Sequence, residues 1–226
     1  MIKENLKKQI FITGTDTEVG KTFISKLLAE AFLNVGYKVG YYKPIETGCD
    51  PICNDTFDLV QLTGQFYEEA LIYQFKVPAS PLAADMKEKK GIDIDKLINH
   101  YHKLKDNYNI VIVEGAGGLL VPITKKDEKI YTYLDFVKML KIPVLIVARA
   151  TLGTINHTAL TVRALKEEGI DIKGIILNKY PKNPDWATET NGEIISLMTG
   201  INKILKIPLI DGETPEDIKR KVMFLI

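Results

Sequence analysis

The chain has 226 residues, 46% of them hydrophobic and 26% charged, with a net charge of +1. A balance so near neutrality excludes a general electrostatic pull toward nucleic acid or anionic lipid. No apolar run approaches the ~20 residues that a membrane-spanning helix needs.

The length suits one large α/β domain covering residues 1–226. The start, MIKENLKKQ, is charged and has no apolar core, so no secretion signal is expected. The first strand is predicted at Gln9–Thr13 (QIFIT) and the first helix at Lys21–Asn34, where Phe23, Ile24, Leu27, Leu28 and Ala31 recur at helical spacing. Further strands are predicted at Val39–Lys43, Ile110–Glu114, Val144–Ala148, Lys173–Asn178 and Lys203–Ile207. Between them fall helices at Ile94–Lys105, Thr132–Leu140, Thr154–Glu168, Glu189–Met198 and Pro215–Phe224. Several strands are apolar on both faces, as parallel strands covered by helices are. The alternation predicts a doubly wound, mainly parallel sheet flanked by helices. Cys49–Asp55 and Asn183–Trp186 read as surface loops. Cys49 and Cys53, with no second pair, make a weak metal case and read as two free loop thiols. His100 and His102 lie two apart, so they share no helical face and read as solvated.

Ligands of such sheets bind beyond the carboxyl ends of the strands. After the first strand comes TGTDTEVGKT, Thr13 to Thr22. It ends in Gly-Lys-Thr as phosphate-binding loops do, although Thr15 stands where the general pattern has its first Gly. A Thr there costs little if its φ stays negative. In this strand–loop–helix setting the helix N-terminus attracts an anion, Lys21 reaches the outer phosphates and the Thr22 hydroxyl is a Mg²⁺ ligand. Lys43 leaves its strand near the same end. It is either a second phosphoryl-stabilising lysine or an edge lysine reaching water. Glu114 ends an apolar strand ahead of Gly115, Ala116 and Gly117, as the Mg²⁺-side acid of many phosphate-loop enzymes does. Asp55 and Asp58 both qualify as a second Mg²⁺ carboxylate. Asn178 reads equally as an adenine contact or a turn residue. No protein nucleophile is evident, so the phosphoryl acceptor is water or a second substrate.

TGTDTEVGKT, YYKPIETG, VIVEGAGGLLVPI, TLGTINHT, GIILN and KIPLI run from Ile10 to Ile210 in an order that resembles dethiobiotin synthetase, a cytoplasmic P-loop enzyme of biotin synthesis. The resemblance implies ring closure on 7,8-diaminononanoate (7,8-diaminopelargonic acid) with CO₂ or bicarbonate, ATP and Mg²⁺. The route it implies runs through a carbamate and its phosphoric anhydride. It implies that Thr17, Glu18, Val19, Gly20, Lys21, Thr22 and Phe23 hold ATP, with Asp58, Glu114, Gly115, Ala116, Gly117, Asn178, Lys179, Ile207, Pro208 and Leu209. It makes Lys21 and Lys43 catalytic and Thr22, Asp58 and Glu114 the metal ligands. Thr47, Gly153, Thr154 and Asn156 would touch the substrate, the last three across a homodimer interface. The family's aromatic near Thr190–Asn191 is absent here. A partitioning-type ATPase switch carries a lysine where this chain has Asp16, and an amidotransferase relative needs a glutaminase domain for which this chain has no room.

Overall fold

The computed structural model describes residues 6–226; the first five residues of the charged N-terminal stretch lie outside the described residues. The elements are β1 (Lys8–Gly14), α1 (Lys21–Asn34), β2 (Val39–Tyr42), β3 (Ile45–Thr47), α2 (Asn54–Thr63), α3 (Tyr67–Ala70), β4 (Tyr73–Phe75), α4 (Pro81–Glu88) and α5 (Ile94–Asn107). They continue with β5 (Ile110–Gly118), β6 (Pro122–Lys126), β7 (Lys129–Thr132), α6 (Tyr133–Leu140), β8 (Val144–Arg149), α7 (Thr154–Glu167), β9 (Ile172–Tyr180), α8 (Trp186–Thr199), β10 (Ile204–Pro208) and α9 (Glu216–Met223).

Six strands form one sheet in the order β10-β9-β8-β1-β5-β2, and every pair in it is parallel. The apolar alternation within single strands explains the two layers. Phe11, Val111, Val113, Val144 and Ile146 face a core shared with α5, α6, α7 and α8. Ile10, Ile12, Ile110, Ile112, Leu145 and Val147 face the opposite core, closed by α1, α2 and α9. Each such side chain, removed fully from water, contributes about 1.5–3 kcal/mol. Because β1 lies between β5 and β8, its carboxyl end opens at the middle of the sheet, where the chain turns into α1.

Local signals place the helix starts. Thr132 and Asp135 form a capping box on α6, Asp93 caps α5, and Ser80 caps α4 with Pro81 as its first residue. Among the described residues, no helix is long and apolar enough to cross a membrane.

Several expectations need correction. The expected Cys49–Asp55 loop ends early, because Asn54 and Asp55 already belong to α2. The two cysteines are not free thiols. They are buried and joined as a disulfide, since the start of α2 brings their Cα atoms to 4.5 Å, and they pack with Leu71 and Tyr67. Trp186 opens α8 rather than closing a loop. The glycines after Glu114 continue β5 to Gly118. His100 is half-buried rather than solvated, with Nε2 2.7 Å from the Glu69 carbonyl, whereas His102 is exposed. The small pairs β3–β4 and β6–β7 and helices α2, α3 and α4 were not predicted; their short runs give periodicity little to act on.

Candidate active site

The loop between β1 and α1 is a cradle of backbone held from several sides. The Thr15 N–H donates to the Val147 carbonyl at 2.9 Å, fixing the loop to β8. Gly14 sits where a Cβ would come within 2.6 Å of the Asp16 carbonyl oxygen and 3.0 Å of Lys21 Nζ. The glycine one place early thus supplies the close approach that the general pattern takes from its first Gly. Gly20, at φ 97, enters α1 in the left-handed region that favours glycine. Lys21 is 8% exposed and its ammonium rests on the Asp16 carbonyl at 3.2 Å. Burial lowers its pKa, partly offset by the field of Glu114. The Asp16 carboxylate pairs with Arg149 at 2.6 Å.

Glu114, buried midway along β5 on the α1 face, is the hub. Its Oε1 accepts from the Thr22 hydroxyl at 2.8 Å and from Lys43 Nζ at 3.2 Å. Its Oε2 accepts from the Ser25 hydroxyl at 2.7 Å and from the Tyr41 hydroxyl at 3.0 Å. Lys43 is 4% exposed, which excludes the edge lysine, and it also pairs closely with Asp55. Burial pulls its pKa down, but the fields of Glu114, Glu46 and Asp55 outweigh that and hold it raised. Burial pushes Asp55 up, yet Lys43 outweighs it and holds Asp55 below the usual carboxylate range.

These groups face a cleft of about 990 Å³, within the upper range of ligand sites. Its walls include Thr17, Glu18, Gly20, Lys21, Thr22, Phe23, Lys43, Thr47, Glu114, Ala116, Gly117 and Lys179, which the sequence singled out. Val19 and Gly115 are buried behind it, Gly115 close against Phe11. The two candidate carboxylates differ in position. Asp55 lines the cleft, whereas Asp58 is exposed and does not. Three residues further along α2, a rise of about 4.5 Å carries it away. Sequence reading missed Glu46, Val121 and the wall Pro78–Pro81. The Ser-Pro start of a helix at Ser80–Pro81 was the available signal for that wall.

At the other end, Asn178 is 2% exposed and donates through Nδ2 to the Val19 carbonyl at 2.9 Å. Its neighbour Lys179 donates to the Glu18 carbonyl at 3.2 Å. Ile207 is buried beside this junction, with Pro208 and Leu209 exposed. Gly153, Thr154 and Asn156 stand at the start of α7 and do not line the cleft of their own chain. Next to them is an apolar groove of about 440 Å³ whose walls include Leu119, Leu120, Val121, His157 and Leu160. Asn191 is buried and donates to the Ala150 carbonyl at 2.8 Å.

Thr22, Asp55 and Glu114 offer hard oxygens at one point of the cleft, the donor set that suits Mg²⁺. Among the described residues, Glu46, Cys49 and Cys53 also cluster within 4.8 Å, but the two sulfurs are bonded to each other.

A family model described as an AAA domain matches residues 8–217. The ATP-dependent dethiobiotin synthetase of Aquifex aeolicus is 44% identical over 212 residues, 93% of this chain and 94% of that protein. That of Bacillus subtilis is 36% identical over 217 residues, 94% of this chain and 92% of that protein. Among solved structures, a plasmid partition protein from Borrelia burgdorferi superposes with a TM-score of 0.60 at 12% identity, over 96% of this chain and 97% of that one. The MinC:MinD cell division complex of Aquifex aeolicus gives a TM-score of 0.54 at 20% identity, over 96% of this chain and 86% of that one. At such identities these structures share the fold.

Proposed function

The chain belongs to the dethiobiotin synthetase family, and on that premise we propose that it closes a cyclic urea on 7,8-diaminononanoate with CO₂ and ATP, as one nucleoside-triphosphate-binding domain working in the cytoplasm. One amine takes up CO₂ to form a carbamate. A carbamate oxygen attacks the γ-phosphorus and ADP leaves. The second amine then attacks the activated carbonyl carbon, and phosphate departs as the ring closes.

The observation that carries this reading is the meeting of Lys21 and Lys43 with the oxygens of Thr22, Asp55 and Glu114 at one end of the cleft. Two buried lysines aimed at a phosphate cradle supply fixed charge where the phosphoryl group transfers. Thr22, Asp55 and Glu114 would hold Mg²⁺, which neutralises charge on the outer phosphates. The remaining amide hydrogen and the carbonyl of Asn178 suit an adenine edge, beside Ile207, Pro208 and Leu209. Thr47 lies on the cleft wall, which supports assigning it to the diamine.

The substrate tail is assigned to a second copy. Leu120 and Leu160 are 65% and 57% exposed on the apolar groove beside α7, and Leu152, just before that helix, is 80% exposed. A homodimer through this face would bury them and bring the helix start at Gly153, Thr154 and Asn156 to the partner's cleft, where it suits a carboxylate. The decisive assay is ADP release with each component omitted in turn. ADP should form rapidly only with ATP, Mg²⁺, bicarbonate and the diamine together. Equal release without the diamine would sink the synthetase reading.

A further inference from the structure

Helix α2 opens without a cap of its own. Its N-cap residue is Cys53, which makes no side-chain cap hydrogen bond and whose sulfur is bonded to Cys49. The orphan N–H groups of its first turn find their acceptor on another strand. The Asp55 N–H donates to Glu46 Oε1 at 3.1 Å, and the Thr56 N–H donates to Oε2 at 3.0 Å. The Thr56 hydroxyl donates to the same Oε2 at 2.6 Å. These are the second and third helical positions, the donors that an N-cap side chain normally satisfies. Glu46 lies on β3, three residues after Lys43, is 7% exposed and lines the cleft.

We propose that Glu46 is a positioning residue for the reaction. Its carboxylate caps α2 from β3 and sets Asp55 in register with Lys43, so that the oxygens of Thr22, Asp55 and Glu114 are assembled before the cation arrives. Three facts converge on this role. Both carboxylate oxygens are engaged by the turn that carries Asp55. The segment carrying Lys43 and the helix carrying Asp55 meet through it, and the Cys49–Cys53 bond closes the chain between them. Burial strengthens these bonds and penalises their loss, because water has little access to replace them. A partner one shell behind a metal ligand typically alters metal affinity by about 10- to 100-fold when removed.

The inference rests on the Mg²⁺–nucleotide reading of the cleft, and its test is separable from the diamine assay. Binding of a non-hydrolysable ATP analogue is measured by calorimetry with and without Mg²⁺, for the wild type and for Glu46→Ala, Glu46→Gln, Asp55→Asn and the Glu46→Ala/Asp55→Asn double variant. The readout is the factor by which Mg²⁺ tightens binding. Glu46→Ala should shrink that factor about tenfold, with metal-free affinity within about twofold of wild type. The double variant should fall no further than Asp55→Asn alone, because Glu46 acts through Asp55. Glu46→Gln, which keeps the shape and one acceptor oxygen, should fall between wild type and Glu46→Ala and guards against misfolding of the alanine variant. Multiplying losses in the double variant, or an unchanged factor in both Glu46 variants, would overturn the role. A wild type that Mg²⁺ does not tighten would overturn it too. Loss of diamine dependence with the coupling intact would instead remove only the synthetase reading.

Discussion

The side-chain amide of Asn178 lies directly against Gly20. A Cβ built on Gly20 would stand 2.1 Å from Asn178 Nδ2, the same atom that donates to the Val19 carbonyl at 2.9 Å. The end of β9 and the phosphate cradle therefore interlock through a space that only a glycine leaves open. Gly20→Ala should strike this amide and also place alanine at φ 97, a left-handed cost of about 1–2 kcal/mol. Calorimetry should register at least about tenfold weaker nucleotide binding, with a lowered urea midpoint. Unchanged binding would mean that the cradle tolerates displacement of Asn178.

Lys43→Ala should separate binding from chemistry. Nucleotide affinity should stay within about twofold while kcat falls about 10²- to 10³-fold, as when a fixed transition-state charge is removed. The variant also leaves Glu114 buried beside a cavity. Thermal unfolding should accompany the kinetics to confirm that the protein is folded at assay temperature. Near-normal kcat in the folded variant would exclude Lys43 from phosphoryl transfer.

The Lys43–Asp55 pair predicts a definite pH window. Asp55 has a folded pKa below its ordinary 3.8, so its contribution is complete above that value and is lost as pH falls through the folded pKa. Lys43 has a folded pKa above its ordinary 10.5, so its contribution holds below that value and is lost as pH rises through the folded one. Glu46, raised above its ordinary 4.5 chiefly by burial, works in the opposite sense on the acid side. The stability difference between wild type and Asp55→Asn, from urea unfolding, should be flat from about pH 5 to 9 and shrink below about pH 4. A difference that grew on acidification would contradict the assignment.

Leu160→Glu tests the apolar face beside α7. Leu160 is 57% exposed in one copy. A charge placed in a buried apolar interface costs several kcal/mol. Light scattering should then find monomers, and diamine-dependent turnover should fall with nucleotide binding retained. A dimer unaffected by the change would place the interface elsewhere.

Cys49 and Cys53 close a ring of five residues, for which the chain-entropy relation gives about 2 kcal/mol. Cys49→Ser/Cys53→Ser should lower Tm by about 4–8 °C in a chain of this size. An unchanged Tm would show that packing alone holds this corner.

How far the sequence could be read followed the length of each pattern. β1, the phosphate loop and α1 were legible because a buried strand, a glycine-marked turn and a fourteen-residue amphipathic helix agree there. Glu114 was legible because packing alone seldom sets an acid at the end of four apolar residues. Asp55 was not separable from Asp58, since the choice depends on where α2 begins, and its cap comes from Glu46 on another strand. The disulfide was missed for the same reason: the helix start, invisible in GCDPIC, is what brings the two sulfurs together. The Pro78–Pro81 wall depends on long-range packing that no local spacing reports.

Neither lysine of the cleft waits idle. Lys21 rests on the Asp16 carbonyl, and Lys43 is shared between Asp55 and Glu114. If the cleft takes ATP as proposed, nucleotide arrival is a change of partners for these two ammonium groups, and the carboxylates of Asp55 and Glu114 are where Lys43 would return once the γ-phosphoryl group had left.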